Sequence, residues 1–256
     1  MTESKKIYER CEELLASVLG LALHFLETLH FNRKNPQQLF SVCLYARLLE
    51  LATACKALLE KNAMVGIPIL LRSMFEADID LTNLMKCPDY YKRMHASFLE
   101  QKLRFTNEAA SSRPSRFFAE IRTIRNPKKD ICEIQAERDQ LIAEKNGPIT
   151  IRCRAEFASK LDEYLSIYNI LCLDTHNNIH SLEEWHIQKL AAEDCQVVVF
   201  KQSKANIVPE LIYISRILLI QTKSLADFLG TTDIEFDKYF IELQELEVSA
   251  TGDQKE

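Results

Sequence analysis

The chain has 256 residues, 47% of them hydrophobic and 27% charged, with a formal charge of -5, the balance of a soluble globular protein. Five glycines and seven prolines are too few for the turns of a sandwich, barrel or propeller, or for a run of βαβ units, so a mostly helical chain is expected. The longest apolar stretch, 17 to 26, contains His24 and falls short of the roughly 20 residues of a membrane span. The first residues also lack the apolar core of a signal peptide, so a cytoplasmic protein with no membrane association is expected.

In chain order, the first predicted helix covers 3 to 30 and breaks at Asn32 to Pro36; the second runs from 37 to 61 and turns at Asn62 to Gly66. A third covers 66 to 86, with Pro68 tolerated in its first turn. Pro88 opens a fourth that carries to Ser111, and Pro114 and Pro127 bracket a short helix. A charged amphipathic helix over 128 to 145 ends at Asn146-Gly147-Pro148, and residues 155 to 181 read as one further long periodic segment. Cys195 to Lys201, with three successive valines, is the one stretch that reads as a strand, an arm of a small hairpin. Helices over 206 to 229 and 233 to 247 follow, and 251 to 256 reads as a disordered tail. The expected architecture is a single helical domain over 1 to 250, an all-α bundle with at most a small β-hairpin.

The eight cysteines include no CxxC pair, and most lie in apolar runs; they read as buried reduced thiols. Charge is uneven. Residues 88 to 160 hold fifteen Lys/Arg against ten Asp/Glu, a net of +5, which leaves -10 for the rest. The densest basic stretch, Arg113, Arg116, Arg122, Arg125, Lys128 and Lys129, with Phe117 and Phe118 interleaved, suits a phosphate-binding patch. It equally suits a solvated helix face balanced by the acidic C-terminal residues.

Two groups of polar residues stand out. In the apolar segment 65 to 81, Arg72, Glu76 and Asp80 recur at helical spacing, continued by Asn83, and form a stripe on one face. If buried, Arg72 and Glu76 must pair, because an isolated buried charge costs several kcal/mol; a structural ion pair and a functional site both fit. Farther on, His176 and His180 share a helical face. A His-x-x-x-His pair can chelate metal, but the glutamate of the zinc metalloproteases is replaced here by Asn177. A metal site completed by Glu76 or Asp80, two helix-end histidines without chemistry, and acid/base or phosphate-contact roles all remain open. No Walker A loop, GxGxxG, GxSxG elbow or zinc-ribbon spacing occurs.

The helix Ile69-Leu-Leu-Arg72-Ser73-Met-Phe-Glu76 and the later element Tyr168-x-x-Leu171-Cys172-x-x-x-His176 resemble a family of bacterial proteins of unknown function. In that family the second element usually reads Tyr-x-x-Leu-Ser-x-x-x-His; here Cys172 replaces the serine and His180 is additional. The resemblance spans 38 to 230, including Arg47 and Glu50 ahead of the first element. That family is similar to HEPN (higher eukaryote and prokaryote nucleotide-binding) domains. These are α-helical bundles, many of them metal-independent ribonucleases of toxin-antitoxin, abortive-infection and antiphage systems, often acting as dimers. Their usual signature, an arginine followed four to six residues later by a histidine, is absent at all six histidines.

The resemblance implies a component of a bacterial antiphage defence or toxin-antitoxin system, a metal-independent endoribonuclease needing no cofactor and working as a homodimer. Metal-free RNA cleavage requires a group to handle protons and a cation to stabilise phosphate charge. His176 suits the first and Arg72 the second, with Glu76 orienting either and Tyr168 or His180 lining the pocket. Arg116, Arg122 and Arg125 suit the RNA backbone. The alternative is a non-catalytic helical subunit that holds a protein partner in a defence complex; residues 231 to 256 carry eight acids against two lysines, suited to a basic surface.

Overall fold

The computed structural model describes residues 3–111, 115–124, 126–175, 178–189, 196–199, 207–231 and 234–252. It is an all-α bundle. Helix α1 (Glu3–Thr28) buries Leu14, Leu15, Val18, Leu19, Ala22 and Phe25, a stripe at three- and four-residue spacing. Helix α2 (Pro36–Glu60) begins where expected because Asn35 caps it: Oδ1 accepts from the Gln37 and Gln38 amides, with Pro36 in the first turn. Asn62, at a φ of 50°, ends it in the left-handed region.

Helix α3 (Ile67–Lys86) is the centre of the bundle. It packs on α2, on α11 (Val208–Leu229) and on the helices near Tyr168, and Leu71, Met74, Phe75, Ile79 and Leu81 are fully or almost fully buried. Each such side chain contributes on the order of 1.5–3 kcal/mol. Helix α11 closes at Gly230, whose φ of 76° supplies the left-handed cap that glycine adopts without strain. Tyr45 ties three helices together, its hydroxyl donating to the Ala22 carbonyl (3.1 Å) and meeting Thr222 Oγ1 (2.8 Å). Helix α12 (Asp237–Gly252) covers α1 and α11, joined by the pairs Arg10–Glu245 at 2.9 Å and Arg216–Glu247 at 3.4 Å.

Helices α4 (Tyr90–Ala110), α5 (Arg116–Ile124) and α6 (Pro127–Ala143) form an arm with its own small core of Leu99, Leu103 and Ile134. The arm meets the bundle where α4 touches α2 and α3. The described members of the basic cluster, Arg116, Arg122, Lys128 and Lys129, are therefore mounted on the arm.

The expected single segment over 155 to 181 is instead broken. Helix α7 (Ile151–Phe157) stops at Ser159, whose φ is 64°. The chain restarts as α8 (Leu161–Glu163), passes through a wide π turn over Tyr164–Tyr168, continues as α9 (Asn169–Thr175), and resumes as α10 (Ile179–His186). The break has a tertiary cause. Lys160 Nζ lies 2.6 Å from Asp78 Oδ2, and Lys86 Nζ donates to the Ala158 carbonyl at 3.0 Å, so α3 holds the turn in place. Of the expected strand, Gln196–Val198 forms β2 and pairs antiparallel with β1 (Ile187–Lys189), Gln188 opposite Val197; Cys195, Phe200 and Lys201 lie outside the described residues. The tail after Gly252 also lies outside them.

The seven described cysteines are free, but only Cys11 and Cys55 are buried, where burial pushes their thiols up to about 11 and about 12. Cys43, Cys132 and Cys153 are exposed, contrary to expectation, because each lies on the outward face of its helix. Among the described residues no helix is long and apolar enough to cross a membrane.

Candidate functional site

The polar stripe of α3 divides into two environments. At its N-terminal end, Arg72 and Glu76 face the π turn. Tyr168, at the last position of that turn, donates its hydroxyl to Glu76 Oε1 at 2.8 Å and accepts from Arg72 Nε and NH2 at 3.4 and 3.3 Å. Arg72 Nε also lies 3.6 Å from Glu76 Oε1, and its guanidinium carbon sits 5.3 Å from the Tyr168 ring centroid, within cation–π range. The ring is held by Phe75 and Tyr164, at centroid distances of 5.5 and 5.2 Å.

The π turn widens the helix by one residue, a device concentrated at functional sites; it places Tyr164 and Tyr168 in a stack above Arg72. Burial pushes the Tyr168 phenol up to about 12, so near neutral pH it keeps its proton. The Arg72 guanidinium is raised, chiefly by the bond to Tyr168. The side chains of Arg72 and Glu76 remain 23% and 36% exposed. The result is a cation and a carboxylate that partly reach the surface, held by a neutral phenol buried beneath them, able to bind an anion through Arg72 and to pass a hydrogen bond through Tyr168.

At the C-terminal end the same stripe is structural. Asp80 Oδ1 accepts from Tyr90 Oη at 2.7 Å and Oδ2 from Arg154 NH1 at 2.6 Å, while Asn83 Nδ2 donates to the Arg154 carbonyl at 2.9 Å. Asp78, fully buried, meets Lys160 at 2.6 Å and Gln221 at 2.5 Å. Desolvation pushes both carboxyls above the usual range, against the pull of Lys160 and Arg154.

Of the residues read from the sequence as a site, Arg72, Glu76 and Tyr168 are brought together. His176 lies outside the described residues; His180 falls on α10, its side chain outside them. Arg116 is exposed, with Glu120 at 3.7 Å. Arg122 turns inward, NH1 donating to the Ala109 and Ser111 carbonyls at 3.0 Å each, where it caps α4. Arg125 lies outside the described residues. Among the described residues no three His, Cys, Asp or Glu side chains cluster to hold a metal ion.

Sequence reasoning missed Tyr164, whose role depends on the π turn, and Asp78, a carboxylate inside an apolar run whose partners are far along the chain. It also missed a groove of about 530 Å³ lined by Leu71 and Leu171, which adjoin the cluster in their helices, and by Ile167, Ile170, Ile212 and Tyr213, with Arg216 and Glu247 among its polar residues.

The model of a family of unknown function (DUF5677) matches residues 38–194. The match runs from α2 to the residues between the two strands and so holds Arg72, Glu76 and Tyr168 together with His176 and His180; it is shorter at its C-terminal end than the expected 38 to 230. No curated protein and no solved structure matched the chain.

Proposed function

The chain belongs to the DUF5677 family, whose function is unknown, and from that premise we propose that it is a metal-independent endoribonuclease of the HEPN type. We place it in the cytoplasm, as the effector of a bacterial antiphage or toxin-antitoxin system. The observation that carries the reading is the meeting of Arg72, Glu76 and Tyr168 across 96 residues of sequence, with Arg72 and Glu76 partly exposed to solvent. Ion pairs that serve only the fold gain little from exposure, whereas a guanidinium clamped by a carboxylate and a phenol is pre-organised for phosphate.

In the proposed reaction Arg72 stabilises charge on the scissile phosphate, and Glu76 and Tyr168 hold the guanidinium in place. His176, eight residues beyond Tyr168 in sequence, takes the proton of the attacking 2′-hydroxyl; as the 2′-oxygen bonds to phosphorus the bond to the 5′-oxygen breaks, and the leaving 5′-oxygen takes a proton from the resulting imidazolium or from water, with His180 lining the same pocket. Arg116 and its neighbours bind the RNA backbone, and a homodimer is the proposed assembly.

The test is a cleavage assay on total RNA and on tRNA, in chelator and then with added metal, using the wild type, Arg72→Ala and His176→Ala. Cleavage in chelator that both substitutions abolish supports the reading. Absence of cleavage by the folded wild type, or cleavage indifferent to both changes, overturns it.

A second reading, a non-catalytic subunit that holds a protein partner, is favoured by the apolar side chains on α9 and α10: Ile170 is 61% and Ile179 73% exposed, with Leu173 and Leu182 also exposed. Exposed apolar side chains on two helices in contact suit an interaction face. Retention of a partner on the wild type that Ile170→Glu releases, in a chain without cleavage, supports this reading over the first.

A further inference from the structure

We propose that the half-open cavity between the arm and the bundle, lined by residues of α2, α4 and α6, is a binding site for an organic cation: a protonated amine carrying an apolar body. The cavity measures about 530 Å³, inside the range of roughly 300–1,000 Å³ that holds small molecules. It shares no lining residue with the Arg72 cluster.

Its two walls differ in chemistry. On one side Phe40 of α2 stacks on Tyr91 of α4, ring centroids 6.0 Å apart at 22°, and Phe40 remains 42% exposed. On the other, α6 presents Glu137 and Gln140, and Glu144 caps its end; at spacings of three and four they share one face, the carboxylates about 10 Å apart along the axis. An aromatic wall facing paired carboxylates is the combination that recognises ammonium groups, through ring quadrupole and charge-assisted hydrogen bonds together.

The positive groups at the cavity leave that field in place. Lys92 Nζ lies 3.1 Å from Asp89 and only 4.0 Å from Glu144, so its charge is drawn towards Asp89. His95 Nε2 holds Glu137 through a single carboxylate oxygen, at 2.7 Å, and Gln140 holds one oxygen of Glu144 at 3.1 Å. Both carboxylates are thus oriented by neighbours: Glu137 is held through Oε1 alone, which leaves its second oxygen to a ligand, and Glu144 has Oε1 on Gln140 and Oε2 at 4.0 Å from Lys92 Nζ, the outer limit of an ion pair.

The cavity residues are not needed to hold the arm together. Helices α4 and α6 are joined elsewhere by the core of Leu99, Leu103 and Ile134 and by Arg138 NH1 on Glu100 at 3.1 Å. An anionic ligand such as a nucleotide would meet two like charges here, which disfavours it.

The experiment is calorimetric titration of the full chain with spermidine and with phenethylamine, which share the ammonium group and differ in the body that carries it. Adenosine monophosphate is titrated in parallel. Saturable binding of at least one amine at a single site is expected. The isosteric pair Glu137→Gln/Glu144→Gln should weaken it at least about tenfold, the loss of a charge-assisted contact, while leaving the melting temperature in place. Phe40→Ala should weaken phenethylamine more than spermidine. Absence of saturable binding by both amines, affinity unchanged in the double glutamine variant, or tighter binding of the nucleotide than of either amine overturns the proposal.

Discussion

The two ends of α3 carry similar residue types in opposite circumstances. Asp78, Asp80 and Asn83 are buried and matched to Lys160, Arg154, Tyr90 and Gln221. One and two turns before Asp80, Glu76 and Arg72 partly reach the surface and share Tyr168. Spacing alone puts Arg72, Glu76, Asp80 and Asn83 on one stripe; the packing of α7 and α11 against one end separates scaffold from candidate site. A polar stripe on a core helix is therefore one pattern with two energetic meanings, and exposure decides between them.

The sharpest way to break the comparison is at the buried end. Asp78→Ala leaves the Lys160 ammonium and the Gln221 amide without their acceptor and should cost about 3–5 kcal/mol, read as a fall in the urea midpoint. Asp78→Asn should cost less, because it keeps an acceptor and removes the desolvated charge. The pH dependence sharpens the contrast. With folded carboxyl values raised above 3.8, the folded chain keeps protons that the unfolded chain has released. The stability this gives is complete below 3.8 and is lost as pH rises through the folded values. Asp78→Asn should show the shallower decline between pH 4 and neutrality in denaturation measured across that window.

At the exposed end the order of effects reverses. Arg72→Ala should lower RNA cleavage by about 10²-fold or more and change stability by less than about 1 kcal/mol, as expected for a solvent-screened pair. Tyr168→Phe keeps the ring stacks and loses the hydroxyl, a loss of about 1 kcal/mol in denaturation with a smaller fall in cleavage than Arg72→Ala. On the arm, stability and RNA contact separate by residue. Arg122→Ala should cost about 1 kcal/mol by uncapping α4. Arg116→Ala should leave the melting curve unchanged and reduce the slope of log affinity for RNA against log salt by about one.

The helices through α6 were legible in the sequence to within a few residues, because their ends are written in local chemistry: Asn35 and Asn126 accept from the first turns of their helices, and prolines stand beside them. The break after Phe157 was not legible, since it depends on Lys160 reaching Asp78, 82 residues away. Arg72, Glu76 and Tyr168 could each be singled out from spacing and resemblance, yet their contact is a product of the fold. The basic cluster shows the same limit: Arg116 and Arg122 look alike in sequence, and only the path of α5 past the end of α4 turns one outward and the other into a cap. His95 and Glu137, 42 residues apart, gave no signal at all.

The π turn over Tyr164–Tyr168 acts as a phase shifter. One residue of an α-helix corresponds to a rotation of about 100°, so a single extra residue taken up in the wide turn sets the angular position of every side chain that follows relative to α3. Deleting one residue within the turn would restore ordinary helical winding and swing Cys172 and the stretch leading to His176 by that angle, while the helix itself stayed intact. The alignment of the two motifs is thus stored in the length of one turn, and insertions or deletions there are far more consequential than substitutions on the same surface.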